Sequence, residues 1–115
     1  MKNKSAVVDD FVVVAKTSEI EEGKVKVVRV GDVPVGVTLI EGEYFAFADV
    51  CTHDDGPVAE GELDDHTIEC PRHGAKFDIR TGRVVQLPAV APIPVYAVKV
   101  EGDMIKVSKK PVSAI

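Results

Sequence analysis

Apolar and polar residues alternate along most of the chain with a period of two, which is typical of β-strands. The alternating segments are short and are separated by glycine, proline and aspartate. They are residues 11–16, 24–30, 33–40, 43–49, 66–70, 75–79, 82–85, 94–102 and 104–108. Only residues 17–23 have the pattern of a helical turn, with Thr17 or Ser18 as the cap and Gly23 as the stop. The pattern therefore predicts an all-β fold, an antiparallel sandwich or barrel.

The residues between the candidate strands predict how these strands are joined. Residues 41–42, 80–82 and 102–103 each contain glycine and lie between two candidate strands, so each is predicted to be a hairpin turn. The alternation shifts its phase at residues 27–28, which predicts a β-bulge in the segment 24–30.

Length, composition and charge narrow the class of protein. The 115 residues and the apolar fraction of 45% fit one domain with its own core. The formal net charge is −5 and the basic residues do not cluster, so no nucleic-acid partner is expected. No apolar run approaches the ~20 residues of a membrane span, and the first ten residues do not resemble a signal peptide. We therefore expect a cytoplasmic protein without a membrane partner, in which cysteines stay reduced.

Both cysteines and all three histidines lie within one stretch of 24 residues. Cys51 and His53 form a C-x-H pair, Cys70 and His73 form a C-x-x-H pair, and 16 residues separate the two pairs. His66 lies between the pairs, and we expect it to be a surface residue. Because this stretch interrupts the β pattern, it is predicted to be an insertion carried on a β scaffold.

Four interpretations of these pairs are open. The cysteines are buried small hydrophobic residues and the histidines are surface residues, or one cysteine is a nucleophile activated by a histidine, which leaves the other pair without a role. The four side chains bind one structural zinc ion, although a C-x-H pair is tight for two ligands of the same ion. Alternatively they bind a [2Fe–2S] cluster, in which one iron takes two thiolates and the other takes two imidazoles. The last interpretation uses one cysteine and one histidine from each pair and is favoured.

The spacing C-x-H, 16 residues, C-x-x-H, with Gly74 directly after the last histidine, resembles that of the Rieske family. The resemblance covers about residues 11–108. It implies a Rieske-type antiparallel β sandwich or barrel, with a small cluster-binding part whose two ligand loops lie at one tip. It also implies four ligands of one Rieske-type [2Fe–2S] cluster: Cys51 and Cys70 on one iron, His53 and His73 on the other.

The same resemblance implies domain boundaries. A single Rieske domain would span residues 11–109, flanked by loose tails. Within this domain, residues 11–48 and 91–109 would form the scaffold and residues 49–90 the cluster-binding part. The loose tails would be residues 1–10 and 110–115. The segment 87–94 is placed to cover the cluster, with Pro88 as the contact, although a plain connection between strands is an equally good interpretation.

The resemblance also narrows the function. Rieske oxygenases carry a long second domain, and respiratory Rieske proteins carry a membrane anchor and a further cysteine pair, none of which this sequence contains. We therefore expect a ferredoxin, a one-electron carrier without catalytic residues. Its partners would be a flavoprotein ferredoxin reductase and a terminal non-haem iron oxygenase. The alternatives are the small subunit of an assimilatory nitrite reductase and a β module stabilised by zinc.

Two further expectations concern the surroundings of the cluster. High-potential Rieske proteins have serine and tyrosine at the positions of Ala75 and Phe77, so the absence of both hydroxyls predicts a low potential. Acidic residues surround the loops, and either a solvated surface or a docking face for a basic partner explains them. They are Asp54, Asp55, Glu60, Glu62, Asp64 and Asp65.

Overall fold

The computed structural model describes residues 11–52, 56–89 and 91–112, and almost all of its regular structure is β. The strands in the described residues are β1 (Phe11–Lys16), β2 (Val25–Val30), β3 (Val33–Ile40), β4 (Glu43–Ala48), β5 (Leu63–Asp64), β6 (Thr67–Glu69), β7 (Lys76–Asp78), β8 (Val84–Gln86), β9 (Val95–Tyr96), β10 (Val98–Glu101) and β11 (Met104–Ser108). A 3-10 helix spans Thr17–Glu19. The predicted all-β class is confirmed.

The strands form three antiparallel sheets. Sheet A has the strand order β1-β11-β10, sheet B has the order β2-β3-β4-β9, and sheet C has the order β5-β6-β7-β8. The long strands of sheets A and B come from both ends of the described chain. The strands of sheet C have only two or three residues each and come from its middle.

Sheet B is the middle layer, because both of its faces are buried. In β4, Ala46 and Ala48 pack towards sheet A, whereas Phe45 and Phe47 pack towards sheet C. We call the cluster between sheets A and B the scaffold core; its buried members are Ala15, Ile20, Val28, Val30, Val35, Val37, Ala46, Ala48, Tyr96, Ile105 and Val107. We call the cluster between sheets B and C the loop core; its buried members are Ile40, Phe47, Cys51, Val58, Ile68, Cys70, Ala75, Phe77, Ile79, Ala89, Ile93 and Val95.

The β-bulge predicted in segment 24–30 is wrong. β2 pairs with β3 without interruption, from Val25 opposite Thr38 to Val30 opposite Val33. No phase shift is needed, because Val27 is simply an outward-facing valine that is 46% exposed. Register shifts occur instead in β1, between Val13 and Ala15, and in β7 opposite β8.

The structure also corrects three other predictions, which concern one long strand, the helical turn and a short strand. The predicted strand 94–102 is two strands, because the chain leaves sheet B after β9 and joins sheet A at β10. The helical turn is confined to Thr17–Glu19, and the cap position is taken by Lys16, whose N–H donates to Glu19 Oε1 at 3.0 Å. The short strand β5 was not predicted.

The ends of the chain were predicted to be loose. Residues 1–10 and 113–115 lie outside the described residues. At the C-terminal end, the Val112 N–H donates to the Val95 carbonyl at 2.8 Å, and the Lys110 carbonyl accepts from Ser108 Oγ at 2.8 Å. The predicted division into a scaffold and a part spanning 49–90 stays a prediction. Within the described ranges, no helix is long and apolar enough to cross a membrane.

Candidate metal centre

The two cysteines lie side by side at the base of two loops. Cys51 follows β4 of sheet B and is 0% exposed, and Cys70 follows β6 of sheet C and is 1% exposed. Their thiols are close enough to hydrogen-bond to each other, and neither forms a disulfide. Two separate sheets therefore bring the predicted thiolate ligands into contact.

Each of the two loops is closed by a backbone hydrogen bond, and the two bonds have the same pattern. The Cys51 N–H donates to the Gly56 carbonyl, and the Cys70 N–H donates to the Ala75 carbonyl, each at 2.7 Å and each five residues further along. The second loop is tightened by Gly74, whose φ of 81° favours glycine and whose N–H donates to the Cys70 carbonyl at 3.0 Å. In the sequence, each closed loop contains one of the predicted ligand histidines.

Of the two predicted ligand histidines, the structure describes only His73. His53 lies outside the described residues. His73 is exposed on the second loop, while Cys51 and Cys70 are buried beneath it. Among the residues of known placement, no three His, Cys, Asp or Glu side chains gather around one point. The structure thus brings together two of the four predicted ligands, Cys51 and Cys70.

The surroundings of Cys70 favour its thiolate. Burial by itself raises the pKa of the Cys70 thiol, because a charge is poorly solvated there. The backbone N–H groups of Arg72 and His73, the thiol of Cys51 and the charge of Arg72 together outweigh burial, so the pKa is lowered. The thiolate is the form of cysteine that binds a metal ion.

Several polar side chains that the sequence reasoning missed hold the loops in place. The Asp49 carboxylate accepts hydrogen bonds from the N–H groups of Val58 and Ala59, at 2.8 and 2.7 Å. Asp49 is a polar residue at the end of an apolar strand, two residues before Cys51, and this position could have identified it as a residue that holds the first loop. Gln86 Nε2 donates to the Gly74 carbonyl at 2.8 Å and so ties β8 to the second loop.

The segment 87–94, which was predicted to cover the cluster, contacts the first loop. Thr52 Oγ1 donates to the Ala91 carbonyl at 2.6 Å, and Ala89 is fully buried in the loop core. Pro88 and Leu87 are exposed. The segment is therefore attached to the site, and the contact of Pro88 with a cluster stays a prediction.

His66 is not a surface residue, contrary to the prediction. Its side chain is 15% exposed, and its ring packs edge-on against Phe45 with the ring centres 5.3 Å apart. Nδ1 lies 3.3 Å from Asp65 Oδ1. The cause is tertiary packing: β6 brings the start of sheet C against the aromatic face of sheet B, so this histidine is part of the contact between the two sheets.

The residues present fit a Rieske-type cluster on their chemistry. A pair of touching, buried thiols suits one iron, and an exposed imidazole on the adjoining loop is the second type of donor that such a cluster needs. Ala75 and Phe77 are fully buried in the loop core beside the two cysteines. Their side chains present no donor at this position.

Comparisons with known proteins agree with the geometry. Residues 10–97 match the family model of the Rieske [2Fe-2S] domain. The chain is 38% identical over 90 residues to the ferredoxin component of biphenyl 2,3-dioxygenase from Rhodococcus jostii (strain RHA1), covering 78% of this chain and 84% of that protein. It is 35% identical over 99 residues to Ferredoxin CarAc from Metapseudomonas resinovorans, covering 84% and 92%.

A solved structure of the complex of reduced oxygenase and oxidised ferredoxin in carbazole 1,9a-dioxygenase is also similar. The TM-score is 0.83 with 32% identity, and the match covers 90% of this chain and 96% of that chain. The family match spans most of this chain, and the cofactor that it indicates is a Rieske-type [2Fe–2S] cluster. The chain belongs to the Rieske [2Fe-2S] domain family.

Proposed function

We propose that this chain is the ferredoxin component of a multicomponent oxygenase system and acts as a one-electron carrier. The observation that carries the proposal is the contact between the buried thiols of Cys51 and Cys70, at the base of two loops with the same backbone closure. Relatives that match most of this chain bear the name ferredoxin, which supports a carrier and not a catalyst.

The proposed ligands are assigned two to each iron. Cys51 and Cys70 would bind one iron, and His53 and His73 would bind the other. When bound, the cluster accepts and releases one electron. The chain itself buries the two thiolates away from water and leaves the ring of His73 at the surface, where a partner can approach it.

The proposed partners are a flavoprotein reductase, which supplies the electron, and a terminal non-haem iron oxygenase, which receives it. The second partner is supported by the solved complex of oxygenase and ferredoxin, one chain of which has a fold similar to that of this chain. A cytoplasmic location and the absence of nucleic-acid or membrane partners are part of the same proposal.

Metal analysis and ligand variants test the assignment. We expect about two iron and two acid-labile sulfide per chain, without stoichiometric zinc. The variants Cys51→Ser, Cys70→Ser, His53→Ala and His73→Ala should each lose the visible spectrum of the cluster. The matched control is His66→Gln, which removes the remaining histidine and should keep the spectrum. Stoichiometric zinc, or a normal spectrum in any of the four ligand variants, would contradict the proposal.

A stepwise transfer experiment tests the carrier role. Anaerobic titration with dithionite should consume about one electron per chain. The reduced protein, mixed with a purified Rieske-type oxygenase, should reoxidise as the oxygenase is reduced. A reduced protein that keeps its electron in the presence of the oxygenase would argue against this partner class.

A further inference from the structure

Arg72 belongs to the second ligand loop, but its guanidinium lies against the first. A Cβ atom built on Gly56 would be 2.7 Å from Arg72 Nη2, 2.8 Å from Cζ and 3.1 Å from Nε. These similar distances mean that the flat guanidinium covers one side of Gly56. Any other residue at position 56 would place its side chain in the space that Arg72 occupies.

The two ends of Arg72 are linked to the two cysteines. Its backbone N–H donates to the thiol of Cys70, within the second loop. Its guanidinium lies on Gly56, whose carbonyl accepts the hydrogen bond of the Cys51 N–H at 2.7 Å. Arg72 therefore connects the residue that closes the first loop to the sulfur at the start of the second.

We propose that Arg72 is a clamp that holds the two ligand loops together across Gly56. The proposal rests on the proposed role of Cys51 and Cys70 as ligands, and it goes beyond that role because Arg72 acts as a positioning residue and not as a ligand. The loops start from different sheets and no disulfide joins the two cysteines, so before a cluster binds, the separation of the loops depends on non-covalent contacts such as this one. A planar guanidinium suits this position, because it packs flat against a backbone and keeps its charge.

The charge of the clamp has a second consequence. Reduction of a cluster adds one negative charge, and the guanidinium of Arg72, which lies against the first ligand loop at Gly56, is a cation at the junction of the two loops that attracts this charge. Arg72 should therefore raise the midpoint potential. A residue that only spaced the two loops would leave the potential unchanged, so the potential separates a charged clamp from a passive spacer.

A double-mutant cycle tests the contact itself. The readout is the rate at which the visible absorption is lost in a chelator at moderate urea, for Arg72→Gln, Gly56→Ala and the double variant. Gly56 does not have a positive φ, so alanine strains no backbone there and acts by displacing the guanidinium. Each single variant should lose the cluster roughly fivefold faster than the wild type, and the double variant no faster than either single one. Multiplying effects, or an unchanged rate in Arg72→Gln, would overturn the clamp.

Potentials measured on the same proteins test the charge. Arg72→Gln should lower the midpoint potential, whereas Arg72→Lys should keep it close to the wild-type value while still losing the cluster faster. The matched control is Arg83→Gln, which removes one exposed positive charge from the β7–β8 hairpin and should change neither readout. Equal potentials in Arg72→Gln and the wild type would contradict the proposed charge effect.

Failure of the clamp and failure of the proposed function give different results. If the ligand assignment is wrong, Cys51→Ser or Cys70→Ser keeps the spectrum, whatever the Arg72 variants do. If only the clamp is wrong, the cysteine variants lose the spectrum while Arg72→Gln behaves like the wild type.

Discussion

The scaffold core and the loop core lie on opposite faces of sheet B, and they are built in different ways. The scaffold core consists of aliphatic side chains and one tyrosine, held by strands of mostly five to eight residues. The loop core is held by strands of two or three residues in sheet C, and it contains both cysteines. Hydrophobic burial alone therefore builds the scaffold core, whereas the loop core also includes the groups that are to bind the cofactor.

This difference implies that the cofactor stabilises one side of the molecule more than the other. A group that binds only the folded loops adds its binding free energy to the stability of those loops. The scaffold core contains none of the proposed ligands, whereas the loop core contains Cys51 and Cys70. We therefore expect the loop core to respond to loss of the cluster and the scaffold core to be nearly indifferent to it.

Removing the cluster with a chelator should give the largest contrast. Amide exchange at Cys70 and Ile79, whose N–H groups donate to the carbonyls of Ala75 and His66, should speed up by at least about tenfold, or ~1.4 kcal/mol. Exchange at Ser108, whose N–H donates to the Ala97 carbonyl in the scaffold, should change little. Equal loss of protection at all three amides would mean that the two regions unfold together.

Truncating one large residue in each core is the next test. Phe77 and Ile105 are both fully buried, the first in the loop core and the second in the scaffold core. Phe77→Ala should cost about 3–5 kcal/mol and release the cluster, whereas Ile105→Ala should cost about 2–5 kcal/mol and leave the iron content of the folded protein unchanged. Urea unfolding with iron analysis of the folded fraction measures both. Loss of iron in Ile105→Ala would show that the scaffold core also supports the cluster.

A hydroxyl placed in the loop core should change the potential with a smaller effect on stability. Ala75 is fully buried beside Cys70, and its carbonyl accepts the Cys70 N–H. In Ala75→Ser the hydroxyl can donate to a cluster or ligand sulfur, which stabilises the reduced state. One hydrogen bond to a charged group, worth at most ~1.5–3 kcal/mol, sets an upper limit of about 60–130 mV on the rise. Voltammetry that finds a lowered potential would contradict this reasoning.

The smallest effect should come from an ion pair at the outer surface of sheet C. Arg80 donates to Asp78 Oδ1 from Nε at 3.1 Å and to Oδ2 from Nη2 at 2.9 Å, and these bonds hold the pKa of Asp78 below its usual value despite partial burial. A carboxyl whose folded pKa is lowered stabilises the fold above its unfolded pKa of about 4 and loses that contribution as the pH falls through the folded value. Because the pair is partly exposed, Asp78→Asn should cost less than about 1 kcal/mol at pH 7.

Urea unfolding of the wild type and Asp78→Asn at pH 7 and pH 3 checks the sign. The difference between the two proteins should narrow at pH 3. A difference that widens on acidification would show that Asp78 is not stabilised as its carboxylate.

Sequence patterns predicted the long strands better than the short ones, for a physical reason. The strands 11–16, 33–40 and 104–108 agree with the structure to the residue, because long alternation needs one or two buried faces. β5 has two residues and therefore no period to detect. The switch between sheets B and A after Tyr96 lies within one continuous apolar run, so composition does not mark it.

The chemistry of the site shows the same division. Cys51 and Cys70 stood out because cysteine is rare in this chain, and the structure brings them together. The packing of His66 on Phe45 and the approach of Arg72 to Gly56 depend on contacts between segments that are distant in the sequence. Local patterns hold no signal for either contact.

Pulsed EPR of the reduced protein with ¹⁵N-labelled histidine tests the central claim most directly. The claim is that one [2Fe–2S] cluster per chain is bound by two cysteines and two histidines, His53 and His73. We expect couplings from two histidine nitrogens, and the same two couplings in the control variant His66→Gln. A cluster signal without histidine coupling, or a protein that holds zinc and gives no signal, would contradict the account.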